Sequence, residues 1–104
     1  MEALMVEKVG PTMFRLMGEL DLARAGELDQ ILQREVPEHG NVTLDLSEVE
    51  FLDSAAIGVF AKLAHVLEGR GNLILISPTK AARLALDTVR LDHRPNVEIL
   101  DDPS

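Results

Sequence analysis

Residues 42 to 67, VTLDLSEVEFLDSAAIGVFAKLAHVL, hold the feature that leaves this chain the fewest ways to fold. The run Val42-Thr43-Leu44-Asp45-Leu46 alternates apolar and polar side chains, which puts Val42, Leu44 and Leu46 on one face of a β-strand. Further on the period changes. Ile57, Phe60, Ala61, Ala64 and Leu67 recur at helical spacing, and Val59, Leu63 and Val66 form a second apolar stripe beside them. A strand that runs through a short turn into a helix leaves the first N–H groups of that helix unpaired. Ser54 stands where the helix begins, and serine is a favoured N-cap because its hydroxyl accepts one of those N–H groups. The turn therefore places a hydroxyl at a positive helix end, beside the carboxylate of Asp53.

What the helix leaves uncovered is narrow. Ser54, Gly58, Lys62 and His65 follow one another by four, four and three residues, so they share one face. Either the helix is buried on both flanks and this line is its solvated edge, or the Ser54–Gly58 end, with Ala55 and Val59 beside it, is a shallow apolar patch open to a partner. On the second reading the partner-binding set is Ala55, Ala56, Ile57, Gly58 and Val59, with Lys62 farther along the same helix.

The remaining elements follow in order. Leu4 to Val9 reads as a first strand, with Gly10-Pro11 as its turn and Thr12 to Met17 as its hairpin partner. Gly18-Glu19-Leu20-Asp21 ends that strand, and Asp21 is placed either to cap the next helix or to turn its carboxylate toward Ser54. Leu28, Ile31, Leu32 and Val36 predict a first helix from about Arg24 to Val36, stopped by Pro37-Glu38-His39-Gly40. Ser47 to Glu50 reads as a connection between the strand at Val42 and the central turn. Gly69-Arg70-Gly71 stops the second helix. The apolar run Asn72 to Ile76 suits a central strand. Ser77-Pro78-Thr79 starts a third helix, capped by Thr79 and reaching Val89, with Ala82, Ala85, Leu86 and Val89 inward. Asn96 to Leu100 is a last strand, and residues 100–104 form a flexible tail. The fold class is α/β: one domain over residues 1–104, with a mixed β-sheet of about four to five strands and helices mainly on one face.

Composition narrows the function. With 46% hydrophobic residues but only three Phe and no Trp or Tyr, the core is aliphatic. No Cys is present, which removes disulfides, thiolate nucleophiles and cysteine metal sites. No apolar run approaches the roughly 18 residues needed to span a bilayer. The opening MEALMVEKVG carries no secretory pattern, so a cytoplasmic protein is expected. A net charge of -8 argues against a nucleic-acid partner and against an anionic membrane surface, and suits a protein partner with a basic surface. Solubility alone also accounts for such a charge.

Catalysis is not expected. The three His residues, His39, His65 and His93, have no spacing that singles out a base, and the Gly-x-Ser-x-Gly elbow is absent around Ser54. Asp21, Asp45 and Asp53 lack further ligands at a diagnostic spacing, so neither a metal nor another cofactor is expected. Two roles remain for Ser54: a simple helix cap, or a phosphoacceptor. A phosphate adds about -1.5 to -2 charge at a helix N-terminus that accommodates it. The fold tolerates that change, and a partner docked on the neighbouring apolar patch does not.

Four segments carry a family resemblance: Gly18-Glu19-Leu20-Asp21-Leu22, Val42-Thr43-Leu44-Asp45-Leu46-Ser47, Val49-Glu50-Phe51-Leu52-Asp53-Ser54, and Ser77-Pro78 before the third helix. In these the chain resembles the STAS domain family, specifically the bacterial anti-sigma factor antagonists. The resemblance implies a binding module that captures an ATP-binding anti-sigma factor serine kinase and so frees a sigma factor. It makes Ser54 the phosphoacceptor, lets Asp21 and Asp53 line its site, and adds a serine phosphatase that restores the hydroxyl. Ala55 and Ala56 depart from the usual Ser or Thr and Gly after the phosphoserine. Arg24 and Gly26 stand where a capping Thr and a Pro are common, and Arg90 where Gly is frequent. A STAS adaptor subunit of a lipid-transport ATPase, bound constitutively to its partner, is the alternative. A nucleotide-binding module is a third reading, for which these residues specify no pocket.

Overall fold

The structure, a computed structural model, describes residues 5–101. The element order is β1 (Val6–Lys8), β2 (Met13–Leu20), α1 (Leu22–Arg34), β3 (Val42–Leu52), α2 (Ser54–Leu67), β4 (Leu73–Ile76), α3 (Lys80–Val89), a 3-10 turn (Leu91–His93) and β5 (Val97–Leu100). The five strands lie side by side in chain order. β1 and β2 form an antiparallel hairpin, and β2 through β5 run parallel. Right-handed crossovers that all step in one direction put their helices on one face of the sheet.

The alternation in the strands decides which face that is. Phe14, Leu44 and Leu75 share one register row, Val42, Leu73 and Val97 another, and all six are buried. They form one core with Leu28 and Leu32 of α1, Phe60, Leu63, Ala64 and Leu67 of α2, and Ala82 and Leu86 of α3. The opposite face carries the row Glu7, Arg15, Asp45, Ile76 and Leu100. There the Arg15 guanidinium bridges the strands, with Nη1 3.0 Å from Glu7 Oε1 and Nε 3.3 Å from Asp45 Oδ2.

Several boundaries differ from the sequence expectation, each for a physical reason. β2 continues past Met17 to Leu20, because Gly18 takes a φ of 81° and absorbs an irregularity in the register without ending the strand. The segment from Ser47 to Glu50 is not a connection but part of β3: register shifts against β2 re-aim the alternation so that Val49 and Leu52 are buried while Glu48 and Glu50 are exposed. α1 starts at Leu22 rather than Arg24 and ends at Arg34, before Val36. β4 is half-exposed on its outer side at Ile74 and Ile76, since no helix covers that face. Val89 is 44% exposed and does not face the core. Leu100 belongs to β5 and pairs with Ile76 of β4; Leu4 and residues 102–104 lie outside the described residues.

Other expectations hold. Thr79 caps α3, its Oγ1 accepting from the Ala82 N–H at 3.2 Å and donating to the Val49 carbonyl at 2.8 Å, which ties α3 to β3. Arg90 ends α3 in the left-handed region at φ 54°, the position where Gly is more usual. Gly71 is required by packing: a Cβ there would collide with the Gly40 carbonyl, where the loops before β3 and β4 touch.

On that opposite face Asp45 is the one charged residue that is buried among the described residues, at 8% exposure. Burial pushes its carboxyl up, but hydrogen bonds from Ser47, whose N–H lies 2.9 Å from Oδ1, and from Arg15 outweigh that and hold it below its ordinary value. A carboxyl depressed on folding contributes stability that is full above its unfolded value, roughly pH 4, and is lost as pH falls through the folded value. Urea midpoints measured between neutral pH and pH 2 should therefore show a steeper acid loss for the wild type than for Asp45→Asn.

Candidate functional site

The end of β2 lies beside the end of β3, with Leu20 paired to Leu52 and the Asp53 N–H donating to the Leu20 carbonyl at 3.2 Å. Each strand then turns directly into a helix, α1 at Leu22 and α2 at Ser54. Two helix N-termini are thus brought side by side, and each presents unpaired N–H groups and a partial positive charge. One side chain serves both. Asp53 Oδ1 accepts from the N–H groups of Ala55 at 3.0 Å and Ala56 at 3.1 Å, while Oδ2 accepts from the Leu22 N–H at 2.9 Å.

This arrangement corrects the expectation that Ser54 caps α2. Asp53 is the N-cap, with extended backbone at φ -106°, and Ser54 is the first helical residue. Ser54 is exposed, and among the described residues its hydroxyl makes no hydrogen bond. Asp21 holds the N-cap position of α1 yet makes no side-chain cap bond; from across the junction Asp53 instead takes the N–H of Leu22, the first helical residue. Asp21 is half-buried, and its Oδ1 is shielded from solvent with no hydrogen-bond partner among the described residues.

Along α2 the set Ser54, Gly58, Lys62 and His65 is exposed as its spacing predicts. Ala56, Ile57 and Val59 are instead buried, at 0%, 6% and 7% exposure, because they face the core cluster. The reachable surface at the start of α2 is therefore made mainly by Ser54, half-buried Ala55 and Gly58, with a small edge of Ile57. Lys62 reaches across to α1, with Nζ 2.8 Å from Asp29 Oδ2. A Cβ placed on Gly58 would meet nothing within 4 Å. Glycine inside a helix costs about 0.5–1 kcal/mol relative to Ala, so nothing within the fold asks for it there.

Ser54 also stands on the wall of an apolar groove of about 420 Å³. Phe51 and Ile57 share that wall, and Leu84, Ala85 and Val89 of α3 form the other. Sequence reasoning missed the α3 wall. Its signal was present as Ala81, Leu84, Ala85 and Thr88, a second stripe at helical spacing beside the core stripe of Ala82 and Leu86. Among the described residues no cluster of His, Cys, Asp or Glu suits a metal, and no helix is long and apolar enough to cross a membrane.

A model of the STAS domain matches residues 2–99. The chain belongs to the STAS domain family. The crystal structure of a "putative anti-sigma factor antagonist" from Thermotoga maritima is similar to this STAS domain at 25% identity, with a TM-score of 0.71, over 94% of this chain and 86% of the other. The NMR structure of that Thermotoga protein aligns over 98% of this chain and 84% of its own, with a TM-score of 0.67 and 22% identity, a likeness of fold. No curated protein matches the chain. In this STAS domain, then, the join between the β2–α1 and β3–α2 turns is held by one carboxylate, and the serine after it is left free.

Removing that carboxylate should loosen both turns. Asp53→Ala is expected to destabilise the domain by about 2–4 kcal/mol, since each lost cap or hydrogen bond to a charged group is worth roughly 1–2 kcal/mol. Asp53→Ser, which keeps a short acceptor for α2 only, should lose about half as much. Thermal melts of the three proteins check the ranking.

Proposed function

We propose that this STAS domain is an anti-sigma factor antagonist whose binding is switched by phosphorylation of Ser54. The unmodified protein captures an ATP-binding anti-sigma factor serine kinase and displaces the sigma factor that the kinase held. The kinase transfers the γ-phosphoryl group of ATP to Ser54 Oγ, the hydroxyl proton leaves, ADP is released, and the complex parts. A serine phosphatase hydrolyses the phosphoester and returns the protein to its capturing form. The domain itself supplies no catalytic group.

The observation that carries this reading is the free hydroxyl of Ser54 at the first helical position, next to a residue that already does the capping. If Ser54 capped α2, phosphorylation would break the cap and the change would be one of folding. With Asp53 as the cap, a phosphate is added to an exposed position without loss of an existing bond. The Thermotoga neighbour's description as an antagonist points the same way. So does Gly58, an exposed helical glycine that the fold does not need, on the same face as Ser54, where a partner backbone can approach closely. Asp53 and Asp21 then act as the acidic lining of the phosphosite. Negative charge added beside Asp53, against a surface sealed by a partner, is uncompensated and desolvated, and the interface opens.

Incubating the purified protein with Mg-ATP and an extract of its source cells should add the mass of one phosphate to the wild type and none to Ser54→Ala. Ser54→Ala should hold the kinase through size-exclusion chromatography, and Ser54→Asp, equally folded, should elute apart from it. Phosphate at another residue, or equal retention of the two variants, contradicts the switch; equal retention is the behaviour of the constitutive adaptor.

A further inference from the structure

We infer that the groove between α3 and the start of α2 is the seat of an amphipathic helix from the protein partner, one with a leucine-type apolar stripe and a basic flank. The inference deepens the partner-capture reading and rests on it for its control by Ser54.

Three large apolar side chains converge at this groove while remaining in solvent: Phe51 at 48% exposure, Leu84 at 69% and Val89 at 44%. Such a contiguous patch on a small domain marks an association surface, whereas single exposed apolar residues do not. Ile57 forms part of the lining, and Ala81 and Ala85 keep the α3 wall low, so a rod-like element can settle between the walls. The lining offers little for a polar ligand. Thr88 Oγ1 is already committed to the Leu84 carbonyl at 2.8 Å, which leaves the Ser54 hydroxyl as the free polar group. Small-molecule sites of this size carry several convergent polar groups. A groove without them selects for apolar side chains presented by a larger body, as in helix-in-groove recognition through residues at i, i+3, i+4 and i+7.

Charge selects the flank. Glu48 and Glu50 are exposed on β3 just before Phe51, and among the described residues neither takes part in an ion pair. Lys80 and Arg90 stand at the two ends of α3, so the α3 side carries cations of its own. The basic flank of the incoming helix therefore lies along the β3 side. The net charge of -8 favours a cationic partner and disfavours an anionic membrane surface or a second, equally acidic copy of this chain. Ser54 stands on the wall of that groove, so a phosphate added there would lie inside the seat, against the apolar stripe.

The test is an NMR titration of the isotope-labelled protein with two short synthetic helices of equal length, one built from Leu and Lys heptads and one from Leu and Glu. The expected result is that the Leu/Lys helix shifts the amides of Phe51, Ile57, Leu84 and Val89, and that the Leu/Glu helix does not. Leu84→Asp should weaken the Leu/Lys helix about thirtyfold, a loss of hot-spot size, although it adds negative charge that would strengthen a merely electrostatic attraction. Phe51→Asn, on the opposite wall, should do the same. Shifts centred elsewhere, equal affinity of wild type and Leu84→Asp, or groove shifts that grow with protein concentration before any peptide is added would each overturn the proposal. Phosphate uptake is scored separately: a protein that takes phosphate at Ser54 but shows no groove shift overturns the groove alone, while groove docking by a protein that never takes phosphate removes only the switch.

Discussion

Two helix N-termini that share one carboxylate set the terms for the rest of this structure. Parallel strands that each turn at once into a helix bring two positive ends together, and without an acceptor between them the unpaired N–H groups of Leu22, Ala55 and Ala56 would face one another across the turn. Asp53 meets all three. Because the register of β2 on β3 places Leu20 against Leu52, the residue after Leu52 is the one that can reach both helices. The sheet pairing thus determines the cap, the cap fixes where α2 begins, and that start puts Ser54 one residue into the helix with its hydroxyl unused.

Much of this was legible in order but not in register. The alternation of Val42, Leu44 and Leu46 and the helical spacing of Ile57, Phe60, Ala64 and Leu67 were enough for a strand that feeds a buried helix, and the four segments quoted for the STAS resemblance lie where the family model matches. Thr79 was readable as a cap because it acts on its own helix. Asp53 was not, since half of its role is toward Leu22, thirty-one residues earlier in the chain, and only the β2–β3 pairing brings them together. Preference tables favour Ser and Asp alike at an N-cap, so local sequence could not choose between neighbours. The length of β3 escaped for a similar reason. Glu48 and Glu50 look like loop residues, and they are tolerated in a strand because register shifts turn them to solvent while Val49 and Leu52 stay buried.

The same distinction explains what was legible of the site. Ser54, Gly58 and Lys62 were placed on one face by spacing alone, and they occupy that face. Ala56 and Val59 belong to the apolar surface of the same helix but face the core, and Ile57 gives the groove only a 6% exposed edge, so most of the outward apolar surface near Ser54 comes from elsewhere. It comes from α3, through Leu84 and Val89, and from Phe51 at the end of β3. A phosphate on Ser54, as proposed, would be added at the edge of an apolar groove and would leave both helix caps in place.

The shared cap is most directly tested by amide hydrogen exchange in the wild type and in Asp53→Ala, read residue by residue. The account predicts that the Leu22, Ala55 and Ala56 amides are protected together in the wild type and that all three exchange faster in the variant, well ahead of β4. Faster exchange at Ala55 and Ala56 with Leu22 unchanged would contradict it, because α1 would then be held by something other than Asp53.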